Sequence, residues 1–505
     1  MGDPRTDGTT LEHSQLVIAL DSAPIHLDPR LGSDVASGRV YELMLNGLVT
    51  KDIHGNFIPE LAESWEILDQ GRRYRFHLRT GVRFHDGREF SSKDVTWTFN
   101  SMIEGRVVSP KRGGFPQLEK VEAIDDVTVD FLLSEPWGAL LGNVTCFVGI
   151  VPEDSLPEDF NKNPVGTGPY RLIERLPDRL TFEAFEGYWG ARPKIERVVL
   201  REVPDATVRA LEMKKGSVQL IINGLSPDVV DRFVADPNYH VQIDPGSSYL
   251  YLAFNLEDPV LRNRGVRQAI AHAVDRAKIL ETLYRGLGVL TETVMPPGHW
   301  ARHEHLPPIP YDPAEARRLL DQAGFPDPDG EGPGTRFGLV YKTSTDETAV
   351  LQAQIIQSML ARVGIALQIR SFEFATFYDD VKQGNFQMFS LAWSGIVDPD
   401  IYRLILHSER IPPAGANRGR YRNRTFDRLI DQGASFAEPE RRRPYYLKAQ
   451  EILREELPYI SMLLKANVAI MPCALEGYRN YPSGELYGVP TMSWGTGSED
   501  CPARK

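Results

Sequence analysis

Cysteine is scarce in this chain of 505 residues, which contains only Cys146, Cys473 and Cys501. Their spacing matches no metal-ligand pattern, and three cysteines permit at most one internal disulfide. The cysteines therefore exclude a cysteine-ligated metal site of regular spacing, and they leave the compartment open.

Long apolar runs and an excess of positive charge are absent as well. No segment approaches the roughly 18 consecutive apolar residues of a membrane-spanning helix. The formal net charge of −12 argues against a general nucleic-acid binder, because phosphate backbones attract basic proteins. The polar start, Met1 to Ser14, lacks the apolar region and cleavage site of a signal peptide. We interpret it as the start of a processed export protein that begins again with methionine.

The short motifs of common catalytic and cofactor sites are missing too. No GxSxG elbow, phosphate-binding P-loop, HExxH pair, CxxC pair or complete dinucleotide fingerprint occurs. His299, His303 and His305 could ligate a metal, but they lie in a proline-rich segment without regular spacing, which favours an exposed loop. The sequence therefore predicts no enzyme, no cofactor and no metal.

The stretch FQMFSLAWSGIVDPD, residues 386–400, organises the C-terminal half of the chain. Residues 386–393 are nearly continuous in apolar and small side chains, which is typical of an inner strand of a parallel sheet. Ligands bind beyond the carboxyl ends of such strands, so we expect a site directly after Trp393. Asp398 and Pro399 are predicted to begin the next helix.

Strands and helices alternate before this stretch, which predicts two βαβ units. These elements are expected at 336–342, 348–363, 365–371 and 372–381. Period-two runs over 50–133, separated by glycine turns, predict an antiparallel subdomain with one helix at 93–103 that is capped by Ser92. Further strands are expected at 16–20, 172–186, 198–203, 218–222 and 249–255, and further helices at 35–48, 205–215, 264–285, 426–435 and 442–456. The helix at 264–285 is predicted to be the longest.

Several segments resemble one known family, in order, over residues 15 to 490. They include PELAESWE, YRFHLRTGVRFHDGREFSSKDVTWTF, VGTGPYRL, YWGARPKIERVVLREVPD, FNLEDPVLRNRGVRQAIAHAVDR, YDPAEARRLLDQAGF and WSGIVDPD. The chain resembles the large solute-binding proteins of ABC importers, the peptide- and nickel-binding class of extracellular solute-binding family 5. The resemblance implies an α/β, periplasmic-binding-protein-like fold (type II, cluster C), with two main lobes that close on a cleft like a hinge and an extra small α+β subdomain.

This resemblance also implies a division of the chain and a function. Lobe I would comprise 15–48, 169–254 and 469–505, lobe II (the extra subdomain) 49–168, and lobe III, the ligand-binding α/β lobe, 255–468. The protein would bind a peptide-like or other small polar solute as a monomer. It would deliver that solute from the periplasm or cell surface to the permease subunits of an ABC transporter in the membrane.

The predicted inner strand and the family resemblance together give the candidate ligand-binding residues. They are Ser22, Ala23, Pro24, Ile25, Tyr249, Tyr251, Trp393, Ser394, Gly395, Ile396 and Arg418. Each tyrosine could equally be an ordinary core residue. Arg418 could pair an anionic ligand group, but it begins an arginine-rich stretch, which favours a solvated surface.

One position departs from the family pattern. In the family's peptide binders, the residue three after the site tryptophan is an aspartate that pairs with the peptide's α-amino group, and here it is Ile396. An isoleucine offers no acceptor, so a free α-amino group is not expected to anchor the ligand.

Two other functions remain open at this point. A hydrolase or transferase on the same scaffold would need a catalytic pair facing the cleft, and turnover would expose it. A sensory or chaperone-like receptor without a permease would lack neighbouring genes for permease and ATPase subunits.

Overall fold

The computed structural model describes residues 15–53, 55–330, 334–396 and 398–495, so Val397 and Cys501 lie outside the described residues. The chain divides into two compact units. Unit 1 comprises the residues up to Asp244, Ser435–Ala437 and the residues from Asn467 onward, and unit 2 comprises Pro245–Ala434 and Glu438–Ala466. In the described ranges, no helix combines the length and the apolar character that a membrane span requires.

Unit 1 begins with eleven strands and six helices among the described residues. The strands are β1 (Gln15–Leu20), β2 (Val49–Lys51), β3 (Phe57–Pro59), β4 (Ala62–Leu68), β5 (Arg73–Leu78), β6 (Leu118–Asp125), β7 (Thr128–Leu133), β8 (Tyr170–Leu176), β9 (Arg179–Ala184), β10 (Arg197–Glu202) and β11 (Leu220–Ile222). The helices are α1 (Val35–Met44), α2 (Ser92–Ile103), α3 (Leu140–Asn143), α4 (Pro157–Lys162), α5 (Ala206–Lys214) and α6 (Pro227–Val234).

Two larger sheets lie in unit 1, besides the two-stranded pair of β2 with β3. In the first, β1 pairs in parallel with both β10 and β11, while β9 pairs antiparallel with β10 and with β8. In the second, β4, β5, β7 and β6 form an antiparallel sheet in that order. This second sheet, with the buried face of α2 against it, confirms the predicted antiparallel block with one helix.

The structure of unit 1 differs from the sequence prediction at two points. The cap of α2 is Ser91, because its side chain and that of Asp94 form a reciprocal capping box, while Ser92 is the first helical residue. The strand pattern predicted at 172–186 is divided into a hairpin, since the chain turns at Pro177 and Asp178 between β8 and β9.

The chain continues into unit 2 through β12 and returns through β17. The strands are β12 (Tyr239–Phe254), β13 (Gly288–Leu290), β14 (Phe337–Ser344), β15 (Ile365–Phe372), β16 (Met388–Trp393) and β17 (Tyr459–Pro472), followed in unit 1 by β18 (Leu475–Glu476) and β19 (Ser493–Trp494). The helices are α7 (Arg264–Ala273), α8 (Arg276–Thr282), α9 (Pro313–Gln322), α10 (Glu347–Ala361), α11 (Phe374–Gln383), α12 (Ile401–Leu406), α13 (Arg424–Ala434) and α14 (Pro439–Glu456).

The sheet of unit 2 has the order β15–β14–β16–β12. Strand β14 pairs in parallel with β15 on one side and with β16 on the other, so the connections reverse direction at β14. The predicted βαβ units and the inner position of β16 are therefore confirmed. The expectation of parallel neighbours holds on one side of β16 only, because β12 pairs with it antiparallel. The carboxyl ends of β14, β15 and β16 share one edge of the sheet.

The predicted helix at 264–285 is wrong, because two helices occupy this segment. Val274 ends α7 in an extended conformation, and the Asp275 side chain accepts a hydrogen bond from the backbone of Lys278 to begin α8. The longest helix among the described residues is instead α14, with 18 residues.

Candidate functional site

Strand β16 ends at Trp393, at the shared carboxyl edge of the unit 2 sheet. Ser394 and Gly395 follow as exposed residues, and Gly395 has a φ of +70°, a conformation that glycine adopts without a steric penalty. The chain then re-enters the core at Ile396, which is only 4% exposed. The turn after β16 therefore leaves Trp393 half-buried at the edge.

Asp398 anchors the segment that follows the turn. Its carboxylate accepts two hydrogen bonds from the Arg442 guanidinium, at 2.7 and 2.8 Å, and one from the backbone N–H of Asp400 at 2.8 Å. Helix α12 begins at Ile401, and the side chain of Asp400 makes no cap hydrogen bond. The helix therefore begins two residues after the predicted start at Pro399, although the Asp398 carboxylate accepts a backbone N–H as a helix cap does.

Behind Trp393 lies a stack of aromatic rings. The Tyr251 ring is nearly parallel to that of Trp393, at 9° with centroids 6.3 Å apart, and it also stacks on Tyr249 and Tyr459. Tyr249 is 4% exposed and Tyr251 is fully buried. Burial raises the pKa of Tyr251 to about 12, although the charge of Arg418 opposes the rise. Both tyrosines are core residues of unit 2 that support Trp393 from behind.

Arg418 is not a surface arginine, since it is only 6% exposed. Its Nη1 donates to the Tyr251 hydroxyl at 3.1 Å, and its Nη2 donates to the Tyr378 hydroxyl at 2.8 Å. The guanidinium carbon lies 4.3 Å from the ring centroid of Trp393 and 4.9 Å from that of Tyr378, which is within cation–π range. The predicted solvated position is therefore wrong for this residue.

Sequence reasoning missed two aromatic residues of this cluster, Phe374 and Tyr378. Both lie on α11, and their rings stack at 14° with centroids 5.8 Å apart. Phe374 is 54% exposed, which is unusual for so large an apolar side chain. A signal was present, because the predicted helix follows β15 directly and its first turns must lie at the edge where Trp393 ends β16.

The candidate residues of unit 1 follow the carboxyl end of β1. Ser22 and Ala23 are exposed, Pro24 is half-buried, and Ile25 is 68% exposed. The Ser22 hydroxyl donates to the Asp21 carboxylate at 3.4 Å. In unit 2, by contrast, the structure brings Tyr249, Tyr251, Trp393 and Arg418 into one connected cluster.

The histidine segment forms no metal centre in the described residues, where no group of three metal-ligating side chains occurs. His303 instead lies 3.3 Å from the Glu451 carboxylate.

Comparison with known proteins gives a consistent result over nearly the whole chain. The sequence profile described as "Bacterial extracellular solute-binding proteins, family 5 Middle" matches residues 56–409. Heme-binding protein A of Haemophilus influenzae is 30% identical over 96% of this chain and 94% of its own length. The dipeptide-binding protein of Escherichia coli is 28% identical over 95% of each. The solved structure of the periplasmic binding protein DppA of Helicobacter pylori, in complex with the peptide STSA, superimposes with a TM-score of 0.80 at 27% identity, covering 96% of this chain and 99% of that one.

Proposed function

The chain belongs to the bacterial extracellular solute-binding proteins of family 5, and from this premise we propose where it binds its ligand. We also propose that a free α-amino group does not anchor this ligand. It has the fold of the periplasmic binding proteins, and it is a solute receptor that works with the permease of an ABC importer. Relatives of similar identity are named for heme and for dipeptides. Sequence identity at this level therefore does not identify the ligand, so the ligand has to be inferred from the residues of the site.

The proposed site is the carboxyl edge of the unit 2 sheet around Trp393. The observation that carries this proposal is the position of Trp393, which ends an inner strand beside the point where the strand connections reverse. Ser394, Gly395 and Arg418 lie beside it, and Tyr249 and Tyr251 support it. Ser22–Ile25 of unit 1 stay candidates through the family resemblance. The three-lobe division given above is part of the same proposal.

The remaining features of the proposal concern class and compartment. The protein is a non-enzymatic monomer without a cofactor and without affinity for nucleic acid, and it acts in the periplasm or at the cell surface. The net charge of −12 supports the proposal that the protein does not bind nucleic acid. Cys473 is disulfide-bonded, and this supports an exported location because disulfides persist in oxidising compartments.

The ligand is not anchored through a free α-amino group. Ile396 occupies the position of the family's aspartate, is 4% exposed and packs in the apolar core of unit 2. The two nearest acids in sequence are engaged, Asp398 with Arg442 and Asp400 with Arg403. An ammonium group placed beside Trp393 would therefore be desolvated without a partner, which is strongly unfavourable.

Calorimetry with matched peptides tests this proposal. Di- to pentapeptides with a free amine are compared with the same peptides after N-acetylation, and acetylation is expected to leave the affinity within threefold. Tight binding of the free peptides that is lost on acetylation would show that the amine is the anchor after all.

A further inference from the structure

The Arg418 guanidinium is buried without a counter-ion. No carboxylate of the described residues lies within 4.0 Å of it, and its two hydrogen bonds go to the hydroxyls of Tyr251 and Tyr378. Two other buried arginines of unit 2 are compensated. Arg442 holds the Asp398 carboxylate, and Arg267 donates to backbone carbonyls around it. A buried cation that is only partly compensated indicates that an anion is missing.

The groups around Arg418 are donors as well. Each tyrosine hydroxyl accepts a hydrogen bond from Arg418, so its own O–H is left to donate, and no described residue accepts it. The indole Nε1–H of Trp393 is buried and has no hydrogen-bond partner among the described residues. Arg418, Tyr251, Tyr378 and Trp393 therefore each keep an N–H or O–H that no described residue accepts. Such a set is complementary to an oxyanion and unfavourable for an ammonium.

The geometry of the guanidinium limits which anions can bind to it. The guanidinium carbon lies over the rings of Trp393 and Tyr378, and Nη1 and Nη2 each donate one hydrogen bond to a tyrosine hydroxyl. An anion can therefore use only the remaining N–H groups, which lie in the plane of the guanidinium. Two oxygens in one plane, as in a carboxylate, match these N–H groups in a bidentate manner.

The cluster also reaches solvent. Trp393 and Tyr378 are half-buried, Ser394 and Gly395 are exposed, and the exposed ring of Phe374 stacks on Tyr378. The cluster therefore opens to solvent at the carboxyl end of β16, next to Arg418.

We propose that Arg418, Trp393, Tyr251 and Tyr378 form a subsite for a carboxylate of the bound solute. The proposal rests on the ligand site proposed above and adds the orientation of the solute within it. This chain has the buried Ile396 where the resemblance implies an amine-binding aspartate, and it places an arginine over the ring of Trp393. The acidic end of the solute lies beside Trp393.

The first test uses the wild-type protein with pairs of probes that differ only in the acid. N-acetyl di- to tetrapeptides are titrated as free acids and as C-terminal amides, N-(1-carboxyethyl) amino acids against their methyl esters, and glucuronic acid against glucose. These arms separate a peptide, an opine-like solute and a sugar acid as sources of the carboxylate. At least one acid is expected to bind 30-fold or more tightly than its neutral partner.

Variants test the assignment to Arg418. Arg418→Met is expected to weaken the binding acid 30-fold or more and to leave its neutral partner unchanged, so that the two bind alike. Arg418→Lys keeps the charge without the planar fork and is expected to recover part of the loss. Arg422→Met is the matched control, because Arg422 lies in the same segment, is 62% exposed and pairs with Glu257 at 3.7 Å. Its affinity is expected to equal that of the wild type.

Each result decides between the two proposals. A neutral partner that binds the wild type as tightly as its acid overturns the carboxylate subsite while the receptor site stands. An acid preference that survives Arg418→Met in a folded protein also overturns it. If no acid and no neutral probe binds, and no solute is released when the purified protein is denatured, the receptor function fails together with the subsite.

Discussion

Trp393 brings two features to the proposed site, its ring and an indole N–H that is buried without a partner among the described residues. The ring is held in place by Tyr251 on one side and lies against the Arg418 guanidinium. A rigid aromatic residue held in this way is typical of an energetic hot spot in a binding site. We therefore expect Trp393→Ala to weaken the binding of any tight probe by about 2 kcal/mol or more. Isothermal titration calorimetry measures the loss.

Trp393→Phe is the matched control for the indole. It keeps a ring face but removes the N–H donor, so the loss should be smaller, about 0.5–1.5 kcal/mol. A dissociation constant that stays unchanged in a folded Trp393→Ala protein would remove Trp393 from the site.

Glu60 of unit 1 gives a prediction about pH. Burial raises its pKa from 4.5 to about 8, although hydrogen bonds from Asn46 and from the backbone of Gly47 oppose the rise. Between pH 4.5 and 8 the folded protein therefore keeps a proton that the unfolded chain releases, so this residue makes stability fall as pH rises.

The comparison of wild type with Glu60→Gln isolates this contribution. The free energy of unfolding of the wild type minus that of the variant is expected to decrease from pH 5 to pH 8. One pKa unit corresponds to about 1.4 kcal/mol. A difference that is flat or increases over this range would contradict a raised pKa for Glu60.

The sequence could identify Trp393 but not its neighbours. Trp393 ends an apolar run, and a run of that kind predicts an inner strand whatever the rest of the chain does. The environment of Arg418 depends on ring faces from β16 and α11, which are distant in sequence. The local composition predicted a solvated position for Arg418 instead, because the stretch is rich in arginine. Most of the arginines after Arg418 are indeed exposed.

At the scale of elements, one ion pair joins the segment after β16 to α14. Asp398 is 12% exposed and Arg442 only 2%, so neither charge is well solvated. Removing one partner leaves the other buried and unpaired. Arg442→Met is therefore expected to destabilise unit 2 by about 3–5 kcal/mol and to weaken ligand binding, because the turn at Ser394 and Gly395 loses its anchor.

Denaturant unfolding measures this loss, and two further variants interpret it. Arg441→Met changes the neighbouring, 59% exposed arginine and is expected to stay within about 0.5 kcal/mol of the wild type. Arg442→Met combined with Asp398→Asn should recover part of the loss, because no charge is then left unpaired. Equal stability of Arg442→Met and Arg441→Met would show that the pair does not hold the segment.

Strands were predicted better than helix boundaries for a physical reason. The strand predicted at 365–371 is β15, Ile365–Phe372, because the alternation of Ile365, Leu367 and Ile369 is itself the property that a half-buried strand requires. The helical spacing over 264–285 continues across the break between α7 and α8, so only the Asp275 cap marks it. Adjacent serines at 91 and 92 likewise offered two caps, and the interaction with Asp94 decides between them.

At the scale of the whole molecule, periodicity identifies elements but not their partners. Gln15 pairs with Arg197 in the first sheet of unit 1, and no local signal connects two segments so far apart. The overall fold was predicted through the family landmarks instead, and the match to residues 56–409 and the relatives confirm that family.

Stabilisation by ligand tests the site at this largest scale. A ligand that binds only the folded protein adds about 4 kcal/mol at a thousandfold excess over its dissociation constant. The proposed carboxylate subsite lies wholly within unit 2, Pro245–Ala434 and Glu438–Ala466. For a unit of this size, 1 kcal/mol shifts the melting temperature by roughly 2–4 °C. In differential scanning calorimetry, a saturating acid probe should therefore raise the melting temperature of the transition in which unit 2 unfolds by about 8–16 °C.

The Arg418→Met protein at the same probe concentration is the control for this shift. Its ligand-free transition is measured first, because removing a buried side chain changes stability by itself. The stabilisation free energy that the acid probe adds is then expected to be about 2 kcal/mol smaller than in the wild type, which corresponds to a 30-fold loss of affinity. A probe that binds the wild type tightly by titration yet leaves the unit 2 transition unmoved must bind elsewhere in the chain. That result would remove the site from the carboxyl edge of β16, since binding to a folded unit cannot occur without stabilising it.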